Sequence, residues 1–221
     1  MKRGLFVTFE GIEGCGKSTQ VQLASVLLDK QNIPHLVTRE PGGTNIGTEI
    51  RKILLSEKTV ELQPVAEALL YLADRFQHIV EVIRPQLDNG KIVLCDRYHD
   101  STVAYQGYGR GIPVQWIENI WIGSNAALVP DLTVLLDLDP QIGLQRSLEK
   151  LRARGLDESR FEKEALEFHI RVREGFLELA RLDQKRFRII DGSQSTDKIH
   201  HRVAEILTTK VTNEHEGEFN K

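Results

Sequence analysis

The chain has 221 residues, 40% of them hydrophobic and 28% charged, with 29 lysines and arginines against 32 aspartates and glutamates for a net charge of −3. That is the balance of an ordinary globular chain with one large domain; it is too acidic for a generic nucleic-acid binder, and no run of about 18 apolar residues offers a membrane span. Met1 to Gly4 lead straight into a strand-like run without the apolar core of a secretion signal, and Cys15 and Cys95 are too few for a disulfide framework, so a soluble cytoplasmic protein is expected.

Leu5–Phe9 is a continuous apolar run, the pattern of a strand covered on both faces. It opens onto Gly11-Ile12-Glu13-Gly14-Cys15-Gly16-Lys17-Ser18, which matches G-x-x-x-x-G-K-[ST], with a helix expected over Lys17–Lys30. Glycines in such a loop let successive backbone N–H groups point at phosphate oxygens. The helix start adds partial positive charge. Lys17 is placed to reach the β- and γ-phosphates, and the Ser18 hydroxyl suits Mg²⁺. The pattern predicts ATP or GTP binding. Neither a D-x-x-G switch nor an N-K-x-D guanine reader is present, which argues against a signalling GTPase.

His35–Thr38 reads as a second strand, running into Arg39-Glu40-Pro41-Gly42-Gly43-Thr44. Either this is a substrate-facing loop or its charges form a surface ion pair. Helices are expected over Ile46–Leu55 and Pro64–Leu87, then a strand over Ile92–Cys95 that ends in Asp96-Arg97-Tyr98. Asp96 there either orients Mg²⁺-bound water or closes the strand as a buried pair with Arg97, and an arginine in that place can grip a phosphate bidentately. The remaining expected elements are helix Val114–Asn125, strand Leu132–Leu136, helix Pro140–Leu151, helix Phe161–Leu182, strand Phe187–Ile190 and helix Thr196–Thr208. Strands alternating with helices predict a five-stranded parallel sheet flanked by helices, with chemistry beyond the strands' carboxyl ends. Arg146, Lys150, Arg152, Arg154 and Arg160 make the 146–160 segment basic, either a solvated face or a lid that closes over a transferring phosphate. Residues 211–221 are polar and read as a frayed tail beyond a single domain of residues 1–210.

Taken together, Phe9-Glu10-Gly11, the phosphate loop, Arg39 to Thr44, Leu72-Ala73-Asp74-Arg75, Asp96-Arg97-Tyr98, Ser101-x-x-Ala104-Tyr105-Gln106-Gly107, Pro130-Asp131-Leu132-Thr133 and Arg160-Phe161-Glu162 resemble thymidylate kinases, in family order and over nearly the whole chain. The resemblance implies the P-loop nucleoside monophosphate kinase fold and transfer of the ATP γ-phosphate to dTMP. It implies a phosphate site from Gly11 to Thr19, with Arg146 stacking on adenine. Ser18 and Asp96 would serve Mg²⁺, and Arg97 and Arg51 the dTMP phosphate. Arg75 would bond the thymine carbonyl, Tyr71 would stack on the base, and Thr102 and Gln106 would meet its polar edge. Tyr105 would pack where a ribose hydroxyl would clash. Glu40 would belong to the substrate loop. Glu13 would orient the sugar hydroxyl or the donor–acceptor geometry, and Arg154 and Arg160 would supply lid charge. With no basic residue among Ile12, Glu13, Gly14 and Cys15 and arginines in the lid, the chain resembles the bacterial type. The family implies a homodimer through the Pro64–Leu87 helix. The competing readings are another nucleoside monophosphate kinase and a non-catalytic nucleotide-binding regulator on the same fold.

Overall fold

A computed structural model of the chain describes residues 3–56, 62–154 and 160–216. Five parallel strands form one sheet: β1 Phe6–Glu10, β2 His35–Arg39, β3 Ile92–Asp96, β4 Leu132–Asp137 and β5 Phe187–Asp191, in the order β2-β3-β1-β4-β5. The helices are α1 Lys17–Lys30, α2 Asn45–Leu55, α3 Pro64–His78, α4 Arg84–Asp88, α5 His99–Thr102, α6 Val114–Gly123, α7 Pro140–Arg154, α8 Leu166–Leu182 and α9 Thr196–Glu216. All five residues of β1 are buried, as its unbroken apolar run requires at the centre of a sheet covered on both sides. Alternation along the strands divides the core. Val7, Phe9 and Leu94 pack with Val21, Ala24 and Leu28 of α1. Phe6, Val93 and Cys95 pack with Leu72, Ile79, Ile83 and Leu87.

Every strand runs one residue past the end of its apolar run, to Glu10, Arg39, Asp96, Asp137 and Asp191. The ladder continues into the charged residue because only the side chain, not the backbone pairing, changes character there: Phe9 and Arg39 both pair with Asp96. Of these charged ends, Arg39 and Asp96 line the cleft described below.

Several helical expectations are corrected; α7 runs on to Arg154 rather than ending at Leu151. The Pro64–Leu87 stretch is not one α-helix; a π-turn at Ile79–Ile83 separates α3 from α4, and the Arg84 N–H bonds back five residues to the Ile79 carbonyl. Pro85 follows directly and has no N–H to give, so the wider turn absorbs the break in the ladder. The Val114 helix stops at Gly123, and Asn125 turns the chain with a left-handed φ of 55°. α8 starts at Leu166, not Phe161, which leaves Arg160, Phe161 and Glu162 in the preceding turn. α9 continues to Glu216, with Val211 packed against the core, so the tail expected from 211 onward is helical as far as that residue; residues 217–221 lie outside the described residues. A second π-turn, Val103–Gly109, extends α5.

Candidate active site

At the carboxyl ends of β1, β2 and β3 lies a cleft of about 750 Å³, lined at one end by Lys17 and Ser18 and at the other by Tyr71, Arg75 and Gln106. The first end is built by the turn from β1 into α1. Gly14 has φ 68°, and a Cβ on it would lie 2.1 Å from the Gly143 carbonyl oxygen, so the turn closes only with glycine there. Gly16 caps α1 in the left-handed region without a side-chain cap, and no acidic residue occupies the first helical turn. The leading N–H groups are therefore left for an anion. Lys17 is buried, and its Nζ donates to the carbonyls of Gly11 (3.0 Å) and Ile12 (2.7 Å). Ser18 Oγ donates to Asp96 Oδ2 at 2.5 Å.

Immediately after β3, Arg97 takes a left-handed φ of 67°. This backbone turn carries its guanidinium under the phosphate loop. Arg97 Nη1 donates to the Gly11 carbonyl at 2.9 Å, and Nη2 to Glu13 Oε1 at 2.9 Å. The Tyr105 hydroxyl donates to the same Glu13 oxygen, and the Tyr105 ring centre lies 5.0 Å from the Arg97 guanidinium carbon. Burial pushes the Glu13 carboxyl up, but Arg97, His169, Lys17 and Tyr105 together outweigh it and hold the group at about 2. Beneath Arg97, fully buried Glu10 accepts from the Tyr98 N–H at 2.7 Å and the Ser101 hydroxyl at 2.5 Å. Burial first, then the nearby Asp100 charge, raise Glu10 to about 8 against those bonds and Arg97.

The other end is organised by a polar stripe along α3: Glu67, Tyr71, Asp74, Arg75 and His78. Arg75 is almost wholly buried. Its Nε donates to Glu40 (2.7 Å), Nη1 to Thr102 (2.9 Å) and Nη2 to the Tyr98 carbonyl (3.0 Å). Glu40 also pairs with His78 Nδ1 at 2.9 Å, and His78 Nε2 bonds the Thr38 hydroxyl at 2.7 Å. Asp74 accepts from the Gly42 N–H at 3.0 Å, and burial, then Glu40, lift its carboxyl to about 6. Arg51 reaches the Pro41 carbonyl at 3.1 Å. Gln106 Nε2 donates to Glu67 at 2.8 Å.

Most residues singled out in the sequence therefore share this one cleft: Glu13, Gly14, Gly16, Lys17, Ser18 and Thr19 at the loop, and Glu40, Arg51, Asp96, Arg97, Thr102, Tyr105 and Arg146 with the three at the far end. Gly11, Ile12 and Cys15 contribute the loop's inner wall, and Arg146 donates to the Gly192 carbonyl at 3.2 Å. Arg160 departs from the lid reading. It is 7% exposed, bonds the Leu54 carbonyl at 3.2 Å, and pairs with Glu67 at 2.6 Å. A buried carboxylate and carbonyl satisfy its guanidinium away from the phosphate loop. Lys150 and Arg146 stand on α7 along the cleft wall. Residues 155–159, including Gly155, and the Arg154 side chain lie outside the described residues.

Glu67, Asp74, His78 and His169 carry no role in the sequence reading, although Asp74 lies within the Leu72-Ala73-Asp74-Arg75 string quoted there. For the first three a signal existed: polar residues at helical spacing around Tyr71 and Arg75, on a helix otherwise rich in alanine and leucine. His169, 3.5 Å from Glu13, carries no comparable local pattern.

The thymidylate kinase family model matches residues 9–203. The chain belongs to the thymidylate kinase family. It is 50% identical over 205 residues to a thymidylate kinase of Carboxydothermus hydrogenoformans, covering 93% of this chain and 97% of that one. It is 52% identical over 201 residues to a thymidylate kinase of Solidesulfovibrio magneticus, covering 90% and 96%. Among solved structures, the thymidylate kinase of Ehrlichia chaffeensis superposes with a TM-score of 0.74 at 33% identity, over 93% of this chain and 99% of that one. The five-stranded parallel sheet flanked by helices is the P-loop kinase fold of that family.

Proposed function

We propose that this protein transfers the γ-phosphate of ATP to dTMP, giving ADP and dTDP, the activity its family carries. The observation behind the geometry is that Lys17 Nζ and Arg97 Nη1 donate to one backbone oxygen, that of Gly11, at 3.0 and 2.9 Å. The cation that serves a donor's outer phosphates and the cation that serves an acceptor's phosphate are thus held side by side.

A phosphate monoester loses its second proton near pH 6, so dTMP arrives with an anionic nucleophile and needs no strong base. The protein's work is to position the two phosphates in line and stabilise charge between them. The loop from Gly11 to Thr19 and the start of α1 cradle the ATP phosphates, with Lys17 as the charge at the outer phosphates and Arg146 beside the adenine. Arg97 and Arg51 take the acceptor phosphate. Glu13 holds Arg97 and Tyr105 in register. Tyr71, Arg75, Thr102 and Gln106 surround the base, and Glu40 orients Arg75. The lid reading for Arg154 remains part of this proposal; Arg160 supports the base end in the conformation described.

The Ser18 hydroxyl and Asp96 carboxylate, 2.5 Å apart, are hard oxygen donors of the kind Mg²⁺ selects. Magnesium entering with ATP would neutralise charge on the phosphate oxygens there. We also read the protein as a cytoplasmic homodimer. Exposed Val65, Leu69 and Val80 on α3 and the turn after it support an apolar interface. Both cysteines are free and buried, which suits a reducing compartment. Among the described residues no helix is long and apolar enough to cross a membrane.

Phosphorus NMR of ATP, Mg²⁺ and dTMP with catalytic protein tests the reaction. A nucleoside diphosphate from dTMP should grow as the ATP γ-signal falls in equal amount. Free phosphate growing in its place would mean hydrolysis and would overturn the assignment.

A further inference from the structure

We propose that Glu67 is a specificity-determining positioning residue: it holds the Gln106 amide so that the carbonyl oxygen, and not the amino group, is offered to the pyrimidine edge. The inference rests on the reading of this cleft as the dTMP site and goes on to say how that site chooses its base.

Glu67 is completely buried in the first turn of α3. It is clamped by two guanidiniums, Arg160 at 2.6 Å and Arg110 at 3.2 Å. A carboxylate between two guanidiniums only accepts hydrogen bonds. Of the two ends of the Gln106 amide, only the NH₂ can satisfy it, and Nε2 lies 2.8 Å from Glu67 Oε1. The orientation is therefore dictated by chemistry, even though amide nitrogen and oxygen have nearly the same shape. Gln106 is itself buried and lines the cleft beside Tyr71, Arg75 and Thr102. With its nitrogen anchored behind, its free corner is an acceptor. Arg75, anchored by Glu40 in the same manner, is a donor.

A donor beside an acceptor complements an imide edge, a carbonyl next to N3–H, as in thymine and uracil. Cytosine presents the reverse, an amino group next to a bare N3. Two buried carboxylates thus set the polarity of the two groups that meet the base; an unheld Gln106 amide can turn its NH₂ to the bare N3 of cytosine, which leaves only the Arg75 donor facing the cytosine amino group to discriminate.

The test compares kcat/KM for dTMP and dCMP, with saturating ATP, in the wild type, Glu67→Gln and Gln106→Leu. Glu67→Gln keeps the shape but lets either amide end point either way. It should lower kcat/KM for dTMP about tenfold, mainly through KM, raise the dCMP-to-dTMP ratio at least tenfold, and leave the KM for ATP within twofold. Gln106→Leu removes the group altogether; it should lose dTMP efficiency without gaining dCMP. An unchanged dCMP-to-dTMP ratio in a folded Glu67→Gln protein would overturn the proposal and leave Glu67 a purely structural residue. Should that variant not fold, the wild type still decides. The Gln106 side-chain NH₂ resonance, assigned by its loss in Gln106→Leu, should be protected from solvent and nearly unmoved by saturating dTMP. A large shift on binding would place the NH₂ against the base and contradict the inference. A wild type inactive on dTMP would instead refute the kinase reading, separately from any variant.

Discussion

Lys17 and Arg97 are 80 residues apart in the chain, yet both donate to the carbonyl oxygen of Gly11, at 3.0 and 2.9 Å. Two like charges are brought this close only because acceptors surround them: the Ile12 carbonyl on one side and Glu13 on the other. The convergence concentrates positive charge where two phosphates must meet, in a chain whose net charge is −3. Attraction of the anionic substrates is therefore local to the cleft.

Lys17→Ala removes the donor-side charge while leaving the loop backbone in place. Turnover should fall by about a hundredfold or more, in the range of a lost oxyanion-type donor. Steady-state rates at saturating ATP and dTMP check this, and near-normal turnover would contradict the phosphate-loop assignment.

Gly14→Ala tests the cradle itself. The new Cβ would sit 2.1 Å from the Gly143 carbonyl oxygen at a φ of 68°. The variant should lose more stability than the ~1–2 kcal/mol of a left-handed alanine alone, and the KM for ATP should rise. Urea unfolding with ATP titration measures both.

Tyr105→Phe leaves Glu13 with one fewer donor and Arg97 less firmly held. A lost buried hydrogen bond costs about 1 kcal/mol. The expected result is a several-fold loss in kcat/KM for dTMP with the KM for ATP little changed. Equal losses for both substrates would point to a general disturbance of the fold.

Glu10 gives a pH signature. Its carboxyl is raised from 4.5 to about 8 by burial and Asp100. A raised folded-state value means that its contribution to stability is fully present below pH 4.5 and is lost as pH rises toward 8. Glu10→Gln removes that dependence. The Tm of the variant minus that of the wild type should therefore increase from pH 5 to pH 8, and a flat difference would refute the assignment. Glu13 works in the opposite sense: held at about 2, its contribution is present above pH 4.5 and fades only as pH falls toward 2.

Much of this architecture is legible in the residues because each strand is an apolar run and the phosphate loop has a mechanical signature. What escaped has physical reasons. The strands outrun their apolar runs by one residue because hydrophobicity stops at Glu10 or Asp96 while the backbone ladder does not. The π-turn before Pro85 was invisible to a periodicity reading, since five residues in a wider turn barely disturb an apolar stripe. The α5 segment and its π-turn carry Ser101, Thr102, Tyr105 and Gln106, yet they were legible only through family resemblance. Charge composition groups Arg160 with its basic neighbours and says nothing of Glu67, 93 residues earlier, which pairs with it. α9 outran its expected end because its last turns are polar, although Val211 still reaches the core.

The most direct test is the initial rate of ADP release with ATP, Mg²⁺ and each of a panel of nucleoside monophosphates: dTMP, dUMP, dCMP, AMP, GMP and UMP. The structure and family predict the highest kcat/KM with dTMP, with the purine and ribose substrates far below it. A rate with dTMP no greater than with ATP alone, or a clear preference for an adenylate, guanylate or uridylate, would contradict the account.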